Sequence, residues 1–273
     1  MKYFEYEISG IDGSAAKFVG YCLDNSEEIV PDRVRPSVLV IPGGGYEMTS
    51  DREAEPIAIQ FLAAGFNAFV LRYSVKPSVF PVALLEAADA MTMIREHATE
   101  WHVDPDAIAV IGFSAGGHLA ANLATSTSDD VLVAHGYDPD AVRPNGLMLA
   151  YPVITSGPLA HRGSFDSLLG ERRNDSEALE SVSIERHIDA KTPPVFVWHT
   201  VPDEVVPYEN TLMLIDACKK AGVSIEAHLF PQGGHGLSLG TAETAWQGVS
   251  GIEPSIQIWP QLAVSWMRRT FAR

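Results

Sequence analysis

The sequence predicts an α/β protein with a mostly parallel central sheet and helices on both faces. Six short apolar runs, many rich in β-branched residues, alternate with longer stretches that have helical periodicity. Strands that alternate with helices form parallel sheets, because each helix returns the chain to the start of the next strand. A chain of 273 residues with 46% hydrophobic content can bury a full core, so we expect one domain over residues 1–273.

The individual elements follow from local patterns along the chain. Residues 3–23 alternate apolar and polar side chains, which predicts an antiparallel hairpin at one edge of the sheet. The strands predicted for the rest of the sheet are residues 37–41, 68–71, 108–111, 147–150, 195–198 and 227–230. The predicted helices are residues 52–64, 82–100, 115–126, 208–221 and 257–270, with proline or glycine in several gaps.

One long segment interrupts this alternation. Residues 155–192 are polar and charged and contain two short stretches with helical character. A long insertion between strands often covers an active site, so we interpret this segment as a small cap. The alternative is a surface loop without function, because long insertions cost little stability.

Composition excludes several classes of partner. The chain has 19 basic and 35 acidic side chains, and a formal charge of −16 repels nucleic acids and anionic membranes. The N-terminal segment has no apolar run typical of a secretion signal, so we expect a cytoplasmic protein. Cys22 and Cys218 are therefore expected to be reduced, buried thiols, not a disulfide or a metal site. The sequence does not determine whether the protein self-associates.

The segment Gly112-Phe113-Ser114-Ala115-Gly116 lies between a predicted strand and a predicted helix. A sharp turn at this junction exposes the serine oxygen, and the glycines on either side allow the close packing that the turn requires. The amides at the helix N-terminus point toward that oxygen. The pattern alone is weak, because Gly236–Gly240 also matches it around Ser238. No apolar strand precedes Ser238, so we predict Ser114 as the nucleophile.

A serine nucleophile needs a base, and the base needs an acid to orient it. In hydrolases built on this elbow, the acid and then the histidine follow the serine along the chain. Asp203 lies after the strand at 195–198, and His235 lies in a glycine-rich loop after the strand at 227–230. Both loops are expected at the carboxyl edge of the sheet, where ligands bind in open α/β folds. We predict Asp203 as the acid and His235 as the base, with Glu204 as the alternative acid.

The reaction also requires amide donors for the oxyanion of the tetrahedral intermediate. Ala115, directly after the nucleophile, is one predicted donor. The loop after the strand at 37–41 contains Gly43, Gly44 and Gly45, whose backbone amides can approach a ligand without a side-chain clash. A phosphate-binding loop is excluded because no Gly-Lys-Ser/Thr follows, and the spacing does not fit a dinucleotide fingerprint.

Four motifs in this order resemble those of the α/β-hydrolase esterases. They are Pro42-Gly43-Gly44-Gly45-Tyr46, Gly112–His118, Pro202-Asp203 and Gly234-His235-Gly236. The chain is most similar to bacterial carbohydrate and acetyl-xylan esterase-like enzymes, which are neighbours of the hormone-sensitive-lipase family. It departs from the lipase pattern at Pro42, where His is usual, and at Phe113, where Asp is common. The resemblance implies an α/β-hydrolase fold and gives Ser114, Asp203 and His235 as the triad. It also implies Gly44 and Ala115 as oxyanion donors, assisted by Gly43 or Gly45.

The resulting hypothesis is a serine carboxylesterase that needs no metal or cofactor and hydrolyses short acyl esters. An acetyl ester of a sugar or small alcohol is the substrate that the resemblance implies. Tyr46 and His118 flank the expected site and are candidate substrate-binding residues, although packing roles are equally consistent. Trp198 and Tyr73 are more typical of core aromatics. The alternatives are a serine peptidase of the prolyl-oligopeptidase type and a catalytically inactive small-molecule receptor.

Overall fold

The computed structural model describes residues 1–272 and contains an eight-stranded, mostly parallel sheet. The strand order is β1-β2-β4-β3-β5-β6-β7-β8. The strands are β1 (Lys2–Ser9), β2 (Ala15–Cys22), β3 (Arg35–Ile41), β4 (Asn67–Arg72), β5 (Val103–Phe113), β6 (Gly146–Ala150), β7 (Val195–Thr200) and β8 (Ile225–Phe230). Strand β2 pairs antiparallel with both β1 and β4, and the remaining neighbours are parallel. This architecture confirms the predicted fold class and the edge hairpin.

Helices connect the strands and cover both faces of the sheet. Within residues 1–272 the α-helices are α1 (Glu55–Ala63), α2 (Val82–Glu96), α3 (Ala98–Trp101), α4 (Ser114–Ala124), α5 (Asp129–Ala134), α6 (Pro139–Val142), α7 (Arg162–Leu169), α8 (Ser176–Ser181), α9 (Glu209–Ala221) and α10 (Trp259–Thr270). The five predicted helices are confirmed, although the one at 82–100 is divided at His97 into α2 and α3. The short helices α5 and α6 had no sequence prediction.

The core is divided by the sheet into two layers. Leu39 and Ile41 of β3 pack in one layer with residues of α2 and α4, whereas Val38 and Val40 pack in the other with residues of α1 and α10. Successive side chains of a strand point to opposite faces, so a strand buried on both faces is apolar throughout. The sheet is therefore a rigid platform, and the loops at its carboxyl edge are held in place by two packed layers.

Both cysteines lie inside this core. Cys22 and Cys218 are buried and unpaired, as predicted, and burial raises the pKa of each thiol to about 12. Among residues 1–272, no helix combines the length and hydropathy that spanning a bilayer requires. No group of three or more metal-ligating side chains forms within the same residues.

Candidate active site

Ser114 lies at the junction between β5 and α4, in a strained backbone conformation. Its φ is 51°, a left-handed value that non-glycine residues adopt mainly where the surrounding structure enforces it. Gly116 explains how the turn packs: a Cβ atom there would lie 2.2 Å from the carbonyl oxygen of Pro42 and 2.4 Å from that of Ile41. The elbow can approach the end of β3 only because this position is glycine. The predicted strand–turn–helix geometry is therefore present.

The three residues predicted as a triad lie in one hydrogen-bonded chain. Ser114 Oγ is 2.8 Å from Nε2 of His235, and Nδ1 of the same ring is 2.7 Å from Oδ2 of Asp203. Ser114 directly follows β5, and His235 and Asp203 lie in the loops after β8 and β7; the three strands end at the same edge of the sheet. Glu204, the alternative acid, is exposed to solvent, and the hydroxyl of Ser238 is buried and donates to the carbonyl of Arg52.

The carboxylate of Asp203 is buried and surrounded by donors. Its Oδ1 accepts hydrogen bonds from the amides of Val205 and Val206, both at 2.9 Å. Burial acts to raise the pKa of Asp203, but the hydrogen bonds from His199, His235 and the Val206 amide outweigh it and hold the pKa well below its usual range. Asp203 is therefore ionised at neutral pH. His199, which has no predicted role from the sequence, is fully buried near the end of β7.

These bonds determine which nitrogen of His235 carries the proton. An ionised carboxylate can only accept a hydrogen bond, so Nδ1 of His235 donates to Asp203. In the neutral ring Nε2 is then unprotonated and accepts from the hydroxyl of Ser114. The arrangement can therefore remove a proton from Ser114 and stabilise the imidazolium that results.

The glycine loop after β3 lies beside Ser114, but its amides are not equivalent. The amide of Gly43 donates to Oε2 of the buried Glu53 at 2.8 Å, and its carbonyl accepts from the amide of Ser50 at 2.9 Å. Gly43 is therefore not free to bind an oxyanion, which corrects that part of the sequence prediction. Gly44 and Gly45 both have positive φ and line the cavity next to Ser114. Together with the amide of Ala115 in the first turn of α4, they remain the candidate oxyanion donors.

Tyr46 and His118 lie beneath the site instead of facing it. Neither lines the cavity at Ser114, and both are buried. Nε2 of His118 is 2.7 Å from the carbonyl of Val182 and therefore donates to it, so Nδ1 accepts from the hydroxyl of Tyr46 at 2.8 Å. Burial lowers the pKa of His118 to about 4. Their position supports a packing role. The two hydrogen bonds connect α4 to the glycine loop and to the segment at 155–192.

An open cavity of about 530 Å³ lies over the serine. Ser114, His235, Gly44 and Gly45 line it, together with His161 from the segment at 155–192. Burial lowers the pKa of His161, and the neighbouring His235 lowers it further. The position of His161 in the cavity lining, beside His235, supports the interpretation of residues 155–192 as a cap.

Trp246 also lines the cavity, on the side of Arg52. Its side chain is 54% exposed, and the guanidinium of Arg52 lies 5.9 Å from the ring centroid. The predicted core aromatics Trp198 and Tyr73, in contrast, are buried away from the cavity. An exposed indole in the lining of the cavity is available for contact with a ligand.

Comparison with known proteins identifies the family of the chain. A family model described as BD-FAE matches residues 29–217. The chain belongs to this family of α/β-hydrolase esterases. Its fold is that of the carboxylesterase Cest-2923 from Lactobacillus plantarum WCFS1, with a TM-score of 0.85 and 28% identity over 98% of both chains.

Two further relatives are more similar in sequence. The acetyl ester-xyloside bifunctional hydrolase of Caldicellulosiruptor lactoaceticus is 35% identical, with a TM-score of 0.80 over 94% of this chain and 88% of that one. Endo-1,4-beta-xylanase B of Butyrivibrio fibrisolvens is 36% identical over 80% of this chain. The chain spans 35% of that xylanase's length, and 42% of the length of another curated relative, the acetylxylan esterase of Xylanibacter ruminicola.

Proposed function

We propose that the protein is a serine carboxylesterase in which Ser114 is the nucleophile, His235 the base and Asp203 the orienting acid. The observation that carries the proposal is the continuous hydrogen-bonded chain from Ser114 Oγ through both ring nitrogens to Asp203 Oδ2. Family membership supports ester hydrolysis as the reaction.

The mechanism follows from the proton positions. His235 Nε2 takes the proton of Ser114 as the oxygen attacks the ester carbonyl, and Asp203 stabilises the imidazolium. The oxyanion is held by the amides of Gly44 and Ala115, with Gly45 beside them, each donor lowering the barrier by about 3 kcal/mol. The imidazolium then protonates the leaving alcohol, and water releases the acyl group by the same steps.

The proposed substrate is a short acyl ester, most simply an acetyl ester, of a carbohydrate or small alcohol. The names of two relatives, an acetylxylan esterase and an acetyl ester-xyloside bifunctional hydrolase, support this class. The cavity combines the apolar indole of Trp246 with polar groups of Ser50 and Arg52. A sugar presents both C–H faces and hydroxyls, and such a mixed lining suits it.

The reaction is tested with p-nitrophenyl acetate. Ser114→Ala is expected to lower kcat on the order of a millionfold, because no other group can form the acyl-enzyme. Ser265→Ala, which removes an exposed hydroxyl on α10, is the matched control and is expected to match the unsubstituted enzyme. Retention of more than a tenth of the activity in Ser114→Ala would refute the assignment.

The substrate class is tested separately with a panel of substrates. Acetylated xylosides are compared with acetates of simple alcohols and with dipeptide amides, and p-nitrophenyl acetate with the decanoate. If residues 155–192 limit the acyl site, acetyl esters are cleaved faster than decanoyl esters, and we expect amides to be inert. Efficient amide cleavage would favour the peptidase alternative. Equal rates on acetate and decanoate would contradict a short-acyl site.

A further inference from the structure

Glu53 is a buried carboxylate that helps to line the active-site cavity and that the mechanism above does not use. It lies in the short 3₁₀ turn before α1 and is 3% exposed. Its Oε2 accepts a hydrogen bond from the amide of Gly43 at 2.8 Å. Its Oε1 accepts one from the hydroxyl of Tyr151 at 2.6 Å. Each carboxylate oxygen thus engages a different loop at the carboxyl edge of the sheet.

Tyr151 extends this connection to the histidine loop. It directly follows β6, and its hydroxyl oxygen accepts a hydrogen bond from the amide of Ser238 at 2.9 Å. Its ring meets the ring of His235 nearly edge-on, with centroids 5.0 Å apart. Glu53 therefore lies between the glycine loop that follows β3 and the loop that carries His235.

The contact with Gly43 fixes the peptide that precedes the candidate oxyanion donor. Glu53 holds the amide of Gly43, and Ser50 holds its carbonyl, so the orientation of the next amide, that of Gly44, is set. The nucleophile is close by: a Cβ atom at Gly43 would lie 3.0 Å from Cβ of Ser114. A donor fixed in advance stabilises an oxyanion without reorganisation during the reaction.

We propose that Glu53 is a positioning residue that holds the glycine loop in the conformation that binds the oxyanion. This inference rests on the proposed esterase function. A negative charge near a developing oxyanion is unfavourable in itself, so the benefit of Glu53 lies in its hydrogen-bond geometry and not in its charge. The distinction can be tested by substitution.

Glutamine can preserve the essential contact, because its carbonyl oxygen can accept the amide of Gly43. Its NH₂ group then faces the hydroxyl oxygen of Tyr151, which can accept as well as donate. Leucine has a similar size but accepts neither bond. Aspartate keeps the charge, but its side chain is shorter by one carbon and does not span the two donors. The expected activity with each residue at position 53 therefore decreases in the order Glu, Gln, Asp, Leu.

The experiment measures kcat and KM for p-nitrophenyl acetate and the inhibition constant of a trifluoromethyl ketone, which forms a tetrahedral oxyanion adduct with serine. For Glu53→Leu we expect kcat to fall about 100-fold, as for loss of one oxyanion donor, with KM changed less than threefold. The inhibition constant is expected to rise in proportion. Glu53→Gln is expected within tenfold of the unsubstituted enzyme. If Glu53→Leu does not fold, Glu53→Asp provides the same test, with activity below that of Glu53→Gln.

Glu86→Leu is the matched control. Glu86 is also buried, at 1% exposure, and accepts hydrogen bonds from the amide and hydroxyl of Ser74, away from the cavity. Its loss is expected to lower stability without changing kcat per folded molecule. Full activity in Glu53→Leu, a loss confined to KM, or Glu53→Gln no better than Glu53→Asp would overturn the inference. Hydrolysis that survives Ser114→Ala would instead overturn the proposed function itself.

Discussion

His199 contacts the same carboxylate oxygen of Asp203 that orients His235. Its Nε2 lies 3.2 Å from Oδ2 of Asp203 and 3.0 Å from the carbonyl of Val206. Both neighbours are acceptors, so Nε2 of His199 carries its proton, and Nδ1 accepts from the hydroxyl of Thr211 at 2.8 Å. His199 is thus a buried donor that keeps Asp203 ionised and fixed in place.

Asp203→Asn is expected to lower kcat by about 10⁴, the effect of the wrong histidine tautomer in other serine triads. The asparagine oxygen must accept hydrogen bonds from the amides of Val205 and Val206. The NH₂ group of the asparagine then faces His235. Nδ1 of His235 then has to accept, and the proton moves to Nε2, which faces Ser114. Turnover of p-nitrophenyl acetate measures the loss, with Glu204→Gln as the exposed neighbouring control. A loss below tenfold would contradict the role of Asp203.

Gly116→Ala is expected to destabilise the protein by about 3 kcal/mol, because the new methyl group would lie against the backbone at the end of β3. Gly234→Ala is the control, since nothing lies within 4 Å of its Cβ position. Urea denaturation of the two variants gives the comparison. Equal stability would show that the elbow does not pack against β3 as described.

His118 is expected to make stability depend on pH. Burial lowers its pKa from 6.5 to about 4, so the unfolded chain binds the proton first as the pH falls. The free energy of unfolding is then unaffected above pH 7 and decreases between about pH 6.5 and pH 4. By linkage, the loss between pH 7 and pH 5 is about 2 kcal/mol.

His118→Gln removes the titrating group and is expected to flatten this part of the stability profile. The same substitution at the exposed His135 is expected to leave the profile unchanged. Urea denaturation at pH 7 and pH 5 provides the measurement. An identical pH dependence in His118→Gln and the unsubstituted protein would mean that His118 is not held neutral by the fold.

The fold and the candidate triad could be predicted because their signals are local. An apolar run before Gly112 and helix formers after Gly116 identify the elbow, and parallel strands bring the loops of Asp203 and His235 to the same edge. The order serine, acid, histidine along the chain then assigns the roles of Ser114, Asp203 and His235.

The hydrogen bonds beneath the site could not be predicted in the same way. Glu53 and Tyr151 are 98 positions apart, and no spacing rule links them. Three consecutive glycines look alike in sequence, and only the contact with Glu53 distinguishes Gly43 from its neighbours. Tyr46 and His118 lie near the motifs in sequence, but their side chains turn into the core.

The central claim is that Ser114 is the residue acylated by substrate. The most direct measurement is mass spectrometry of peptides after reaction with diethyl p-nitrophenyl phosphate, which phosphorylates an activated serine. We expect one modified peptide, the one containing Ser114, with no modification in Ser114→Ala and much slower modification in His235→Ala. Modification at another serine, or labelling at the same rate in His235→Ala, would contradict the account.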